Sequence, residues 1–136
     1  MMKKFFVLAL LCALICSCGS DKKVEGDVNN LYGKWFIEEA MSASTVGAEE
    51  RPFINFDKNG KMNGNASVNL FFGDYKFDGK KLTLGNMGMT RKLGASMDVE
   101  RTISEALDKS ATIKIEGKSA KVLDKSGKVV MTLVKE

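Results

Sequence analysis

The sequence predicts an α+β domain. A mostly antiparallel sheet of about seven or eight strands, a meander or an open barrel, carries one amphipathic helix near residues 96–109. Three observations lead there. Short runs rich in β-branched and aromatic residues alternate with Gly-, Asn- and Asp-bearing turns, so hairpin follows hairpin and pairing is antiparallel. One stretch alone has helical spacing: Val99, Ile103, Ala106 and Leu107 recur at i, i+4, i+7 and i+8 and form a single apolar stripe. Between the first hairpin and the helix lies Gly64-Asn65-Ala66-Ser67-Val68-Asn69-Leu70-Phe71-Phe72-Gly73-Asp74-Tyr75, the most distinctive run in the chain. Its bracketing glycines, Gly64 and Gly73, predict turns with positive φ or a close approach of backbone that a side chain would obstruct.

The front of the chain reads as an address. Lys3 and Lys4 precede an apolar run of eleven residues, 5–15, too short to span a bilayer and the right length for a signal-peptide core. Ile15-Cys16-Ser17-Cys18 has the form of a lipobox, an aliphatic residue and two small ones before an acylated cysteine. Residues 1–17 are expected to be a lipoprotein signal peptide and Cys18 the site of lipid attachment, palmitate included. An ordinary secretory signal is the alternative. Such an anchor needs no transmembrane helix. Residues 18–30, polar and charged with Gly19 and Gly26, read as a lipidated flexible tether, and residues 31–136 as the folded domain.

Processing would leave 119 of the 136 residues, one domain's worth, and would lower the formal net charge from +4 to +2 by removing Lys3 and Lys4. All three cysteines, Cys12, Cys16 and Cys18, lie at the front, so the domain has no thiol and no disulfide.

In chain order, Leu31 to Glu38 reads as a strand with Trp35 and Ile37 on one face. Trp35 is the only tryptophan and is read as a core residue rather than a ligand contact. Residues 41–51 are loop. Pro52 introduces the strand 53–56, and Asn59-Gly60 marks a hairpin. The central run is expected to be strand then tight turn, with a second hairpin through residues 74–84. Residues 85–95 form an irregular strand in which Met87 and Met89 share a face. Met-x-Met outside the cytoplasm can suggest copper(I). With no histidine or free cysteine to complete a site, the pair is read as core packing. Ser96 is expected to cap the helix, and Glu100, Arg101, Glu105, Asp108 and Lys109 to form its solvated face. Strands at 112–115, 120–123 and 129–134 close the chain.

Taken together, these pieces resemble the META domain family, the HslJ-like heat-shock lipoproteins of bacterial envelopes, over about residues 31–136. Leu31, Gly33 and Trp35 match the family's opening strand. Ile54, Phe56, Gly64, Asn69, Gly73 and Tyr75 match its central segment, and Thr90 and Arg91 with the Glu100 helix match the next. Two family cysteines are replaced by Val68 and Gly94, so the disulfide the resemblance implies for relatives is absent here. The resemblance implies a mostly β fold with a packed helix and a stress or accessory role in the envelope, most simply at the outer membrane. It supplies no catalytic site to transfer.

The residue inventory narrows the chemistry. Without histidine the usual general base and zinc ligand are missing. No thiol nucleophile, phosphate-binding glycine loop or nucleophile elbow is present. Asp57, Asp74 and Asp78 fall at turn-like positions. No basic cluster interleaved with aromatics points to nucleic acid. The expectation is a non-catalytic envelope lipoprotein, without metal or cofactor, held to the membrane by its lipid and contacting envelope proteins. The alternative is a lipocalin-like carrier holding a small apolar ligand against Trp35, Phe71 and Phe72; Gly33-x-Trp35 also resembles the first-strand signature of such barrels.

Overall fold

The computed structural model describes residues 26–136; the predicted signal peptide, Cys18 and most of the predicted tether lie outside the described residues. Nine strands form one antiparallel sheet: β1 (Gly33–Ala40), β2 (Ala43–Ser44), β3 (Phe53–Phe56), β4 (Lys61–Asn65), β5 (Leu70–Phe77), β6 (Leu82–Met89), β7 (Thr112–Glu116), β8 (Ser119–Leu123) and β9 (Val129–Lys135). The order is β6-β5-β4-β3-β1-β9-β8-β7, with β2 folded back on β1. The sheet curls into a half-barrel whose two end strands touch at the Lys81–Thr112 bridge. The helix α1 (Met97–Lys109) connects β6 to β7 and packs against β1 and β9.

Alternation decides which side chains meet. On β1, Trp35 and Ile37 are fully buried on the inner face, while Phe36 points the other way. The Trp35 indole donates to the Leu31 carbonyl at 2.8 Å, so its one polar atom is satisfied in the core. Ile54, Phe56, Met62, Phe71 and Tyr75 extend this core, and Ile103, Ala106 and Leu107 of α1 fill its concave side. Tyr75 meets Phe56 edge-on, ring centroids 5.0 Å apart, and donates its hydroxyl to the Asp57 carbonyl. Burial pushes that phenol up from its ordinary pKa.

Four local expectations are corrected. The central turn falls at residues 66–69, and β5 runs unbroken through Gly73. Gly64 and Gly73 therefore sit inside strands, and neither has a positive φ. What they provide is close approach, the second half of the expectation. A Cβ on Gly64 would collide with the Phe53 carbonyl oxygen and the Phe71 ring, and one on Gly73 would lie 2.7 Å from the Gly85 oxygen. Ser96 takes the N-cap position of α1 as expected, but its hydroxyl makes no cap bond and instead accepts the Glu49 N–H at 2.8 Å. Glu100 is buried, not solvated. Residue 26 already belongs to the fold: Gly26 N–H donates to the Gly79 carbonyl at 3.1 Å, and Val28–Asn30 form a 3-10 turn where a tether was expected.

The irregular strand expected over residues 85–95 is present only as far as Met89, where β6 ends; residues 90–95 are instead the loop that leads into α1. A bulge in β6 between the levels of Phe72 and Asp74 places Asn86 at φ 49°. Met89 packs on the core as expected, but Met87 remains 38% exposed.

Candidate functional site

The expected motif residues separate into two groups. Gly33 opens β1, and Trp35, Gly64, Gly73 and Tyr75 belong to the packed sheet. Asn69, Thr90 and Arg91 come together at the far end of β5, where the loop 90–96 leads into α1.

Asn69 is the hub. Its side-chain oxygen accepts from the Thr90 hydroxyl at 2.8 Å and the Lys92 N–H at 2.6 Å. Its amide nitrogen donates to the Lys92 carbonyl at 2.9 Å and to the two Glu100 carboxylate oxygens at 3.0 and 2.9 Å. The Asn69 backbone N–H gives Glu100 a further bond at 2.9 Å. Thr90 completes the arrangement by accepting the Leu70 N–H at 3.0 Å. An asparagine suits this place because it offers donors and acceptors in one plane without charge. Glu100 lies in the first turn of α1, where the helix dipole favours a carboxylate.

A second set of bonds ties the loop 45–51 to the same end. Glu49 accepts the Ala95 N–H at 3.0 Å. Glu50 accepts from the Asn65 side chain and donates its N–H to the Ser67 hydroxyl at 3.3 Å. Every buried side-chain nitrogen and oxygen among the described residues has a hydrogen-bond partner. This polar end holds three loops in one geometry. Both Glu100 oxygens are taken up by Asn69, which leaves a clamp rather than a free acid or base.

Beside the clamp lies an open cleft of about 570 Å³ lined by Met87, Met89, Arg91, Leu93 and Met97, with Asn69 and Glu100 at its base. Arg91 is exposed at the rim, without an ion pair among the described residues. Leu93 is 93% exposed and Val46, on the other tied loop, 86%. Phe71 faces the packed interior, whereas Phe72 is 55% exposed on the opposite face. Trp35, Phe71 and Phe72 therefore do not line one space.

Sequence reasoning missed the burial of Glu100, although the signal was present. Glu100, Ile103 and Leu107 are spaced i, i+3, i+7, which puts the carboxylate on the flank of the apolar stripe.

Val68 and Gly94 are neighbours across this end. A Cβ on Gly94 would lie 2.8 Å from Val68 Cγ1, and Val68 is buried. The valine methyls occupy the space a bridge would need. The double variant Val68→Cys, Gly94→Cys is expected to form a disulfide under oxidising conditions, giving a reductant-sensitive melting temperature that the parent lacks. Two thiols still titratable after oxidation would contradict this.

No curated protein matches the chain at a significant level. Three solved structures share the fold at low identity. One solved by NMR is 20% identical, with a TM-score of 0.61 over 76% of this chain and 89% of its own. A second NMR structure, from Burkholderia xenovorans, is 18% identical, with a TM-score of 0.57 over 79% and 85%. The crystal structure of a DUF4847 family protein from Bacteroides vulgatus is 11% identical, with a TM-score of 0.58 over 78% and 94%. The META domain model matches residues 29–136, nearly the whole described fold. The chain belongs to the META domain family.

Proposed function

We propose that this META domain protein is a non-catalytic lipoprotein of the cell envelope, anchored through Cys18 and acting by contact with other envelope proteins. The observation that carries the contact reading is Leu93. It is 93% exposed, yet its loop is pinned at Thr90, Lys92 and Ala95 by hydrogen bonds. An apolar side chain displayed on an ordered loop, beside an open cleft, suits a protein contact better than solvent. An accessory or stress-related role at the outer membrane follows from the family resemblance. The closed clamp at Glu100 and the absence of histidine agree with a role other than catalysis. The packed interior argues against the carrier alternative, which needs an apolar cavity.

Two measurements test this. Cys18→Ala is expected to abolish palmitate incorporation; label retained by that variant would refute the anchor. Mild crosslinking in native membranes is expected to trap the parent in complexes that Leu93→Asp loses, without change in melting temperature. The same crosslinked species from both chains would remove Leu93 from the contact.

A further inference from the structure

One face of the sheet departs from the pattern expected of a half-barrel. The outer side of an antiparallel sheet that packs its core on the other face is normally polar. Here strand register lines up a row of apolar side chains on it, interrupted only at Asn65. Val134 of β9 pairs with Phe36 of β1, Phe36 with Phe53 of β3, Phe53 with Asn65 of β4, and Asn65 with Leu70 of β5. Phe72, two residues beyond Leu70, shares that face. Directly paired residues project to the same side, and Phe36 lies opposite the buried Trp35 and Ile37. Val134, Leu70 and Phe72 are 39, 50 and 55% exposed.

Cations lie over the rings. The Arg51 guanidinium sits 3.7 Å from the Phe36 centroid, and the Lys34 ammonium 4.7 Å from that of Phe53. Each is also paired with a carboxylate, Arg51 with Glu38 and Lys34 with Glu136. Aromatic rings overlaid by cations with long aliphatic stems are suited to the boundary between headgroups and acyl chains.

The chain outside the structure decides what such a face meets. Cys18 precedes the first described residue, Gly26, by eight positions, so the lipid can lie at most about 27 Å of chain from the domain. An eight-residue strand is about as long. A domain held so close to a bilayer must turn some face towards it. Gly26 is bonded to Gly79, in the turn after Phe77, at the opposite end of β5 from Leu70 and Phe72 and within about one strand length of them.

We infer that the outer face along Val134, Phe36, Phe53, Leu70 and Phe72 rests on the surface of the bilayer to which the chain is anchored. Docked this way, α1 and its solvated residues face away from the lipid. The inference rests on the anchor at Cys18, and the test separates the two.

Single cysteines are introduced at Asn63, which is exposed on β4 directly opposite Phe72, and at Arg101, exposed on α1. Each is labelled with an environment-sensitive fluorophore in the acylated full chain. The chain is reconstituted into phosphatidylethanolamine–phosphatidylglycerol vesicles containing brominated lipid. The label at Asn63 is expected to be quenched and blue-shifted and that at Arg101 to be neither. Leu70→Glu is expected to abolish the Asn63 quenching while palmitate incorporation persists. Palmitate incorporation with equal quenching at both positions, or with quenching at Arg101 alone, overturns the docking and leaves the anchor standing. Shielding of Asn63 in native membranes but not in vesicles assigns the face to a protein and also overturns it. A chain that takes up no palmitate refutes the anchor and the docking together.

Discussion

Asn69→Ala is expected to destabilise the domain by about 3 kcal/mol or more, a fall in melting temperature of at least about 10 °C. The change removes the side-chain donors to Glu100 together with the acceptor for Thr90 and Lys92. Hydrogen bonds to a charged group contribute roughly 1.5–3 kcal/mol, and a buried carboxylate left short of donors costs more than a neutral group would. The loop 90–96 loses its tie to β5 in the same step. Coupling is the sharper test. In the Asn69→Ala background, Glu100→Leu should cost much less than it does alone, because the two side chains share one interaction. Additive losses, or an Asn69→Ala chain melting within about 2 °C of the parent, would show that the clamp does not hold this end together.

Gly64→Ala is expected to cost about 3 kcal/mol, the upper end of the range for overpacking a core. Gly64 pairs directly with Phe71, whose ring lies back across the glycine, and the added methyl would also meet the Phe53 carbonyl of the adjoining strand. A flexible side chain could turn away; a carbonyl bonded into the sheet cannot. Gly73→Ala should follow at about 1–3 kcal/mol, because its nearest obstacle is also backbone, the Gly85 oxygen. Gly85→Ala is the control. It has nothing within 4 Å of the new methyl and no positive φ, so it should change stability by less than about 0.5 kcal/mol. Urea melts rank the three. If Gly85→Ala proves as damaging as Gly64→Ala, the cost comes from something other than crowding.

The elements that could be read from the sequence are those set by local repetition. The stripe Val99, Ile103, Ala106, Leu107 located α1, and the alternation around Trp35 and Ile37 assigned the inner face of β1. Both patterns arise within one element and need no knowledge of its neighbours. Glycine does not mark the central turn. Residues 66–69 turn without glycine: Ser67 adopts φ 85°, its N–H held at 2.7 Å by the Asn65 side-chain oxygen. Glycine is needed instead where Phe71 crosses the strand, a contact between residues 64 and 71 that spacing alone does not announce. The clamp was half visible. Asn69 and Thr90 stood out by resemblance, but the burial of Glu100 depends on an asparagine 31 positions away. A charged side chain on a helix gives no local sign that such a partner exists.

The position of β1 has a consequence for how the chain acquires its structure. β1 lies between β3 and β9, and its pairing with β9 joins Trp35 to Lys135. Among the described residues, the first strand to be synthesised is thus completed by the last. Pairings so distant in sequence place the domain among slow-folding topologies. The inner face that holds Trp35 and Ile37 cannot close until the final seven-residue strand arrives. Throughout that interval the amino-terminal end remains attached to an unfinished domain. Until β9 arrives, any chaperone that meets the chain finds an unpaired β1 edge.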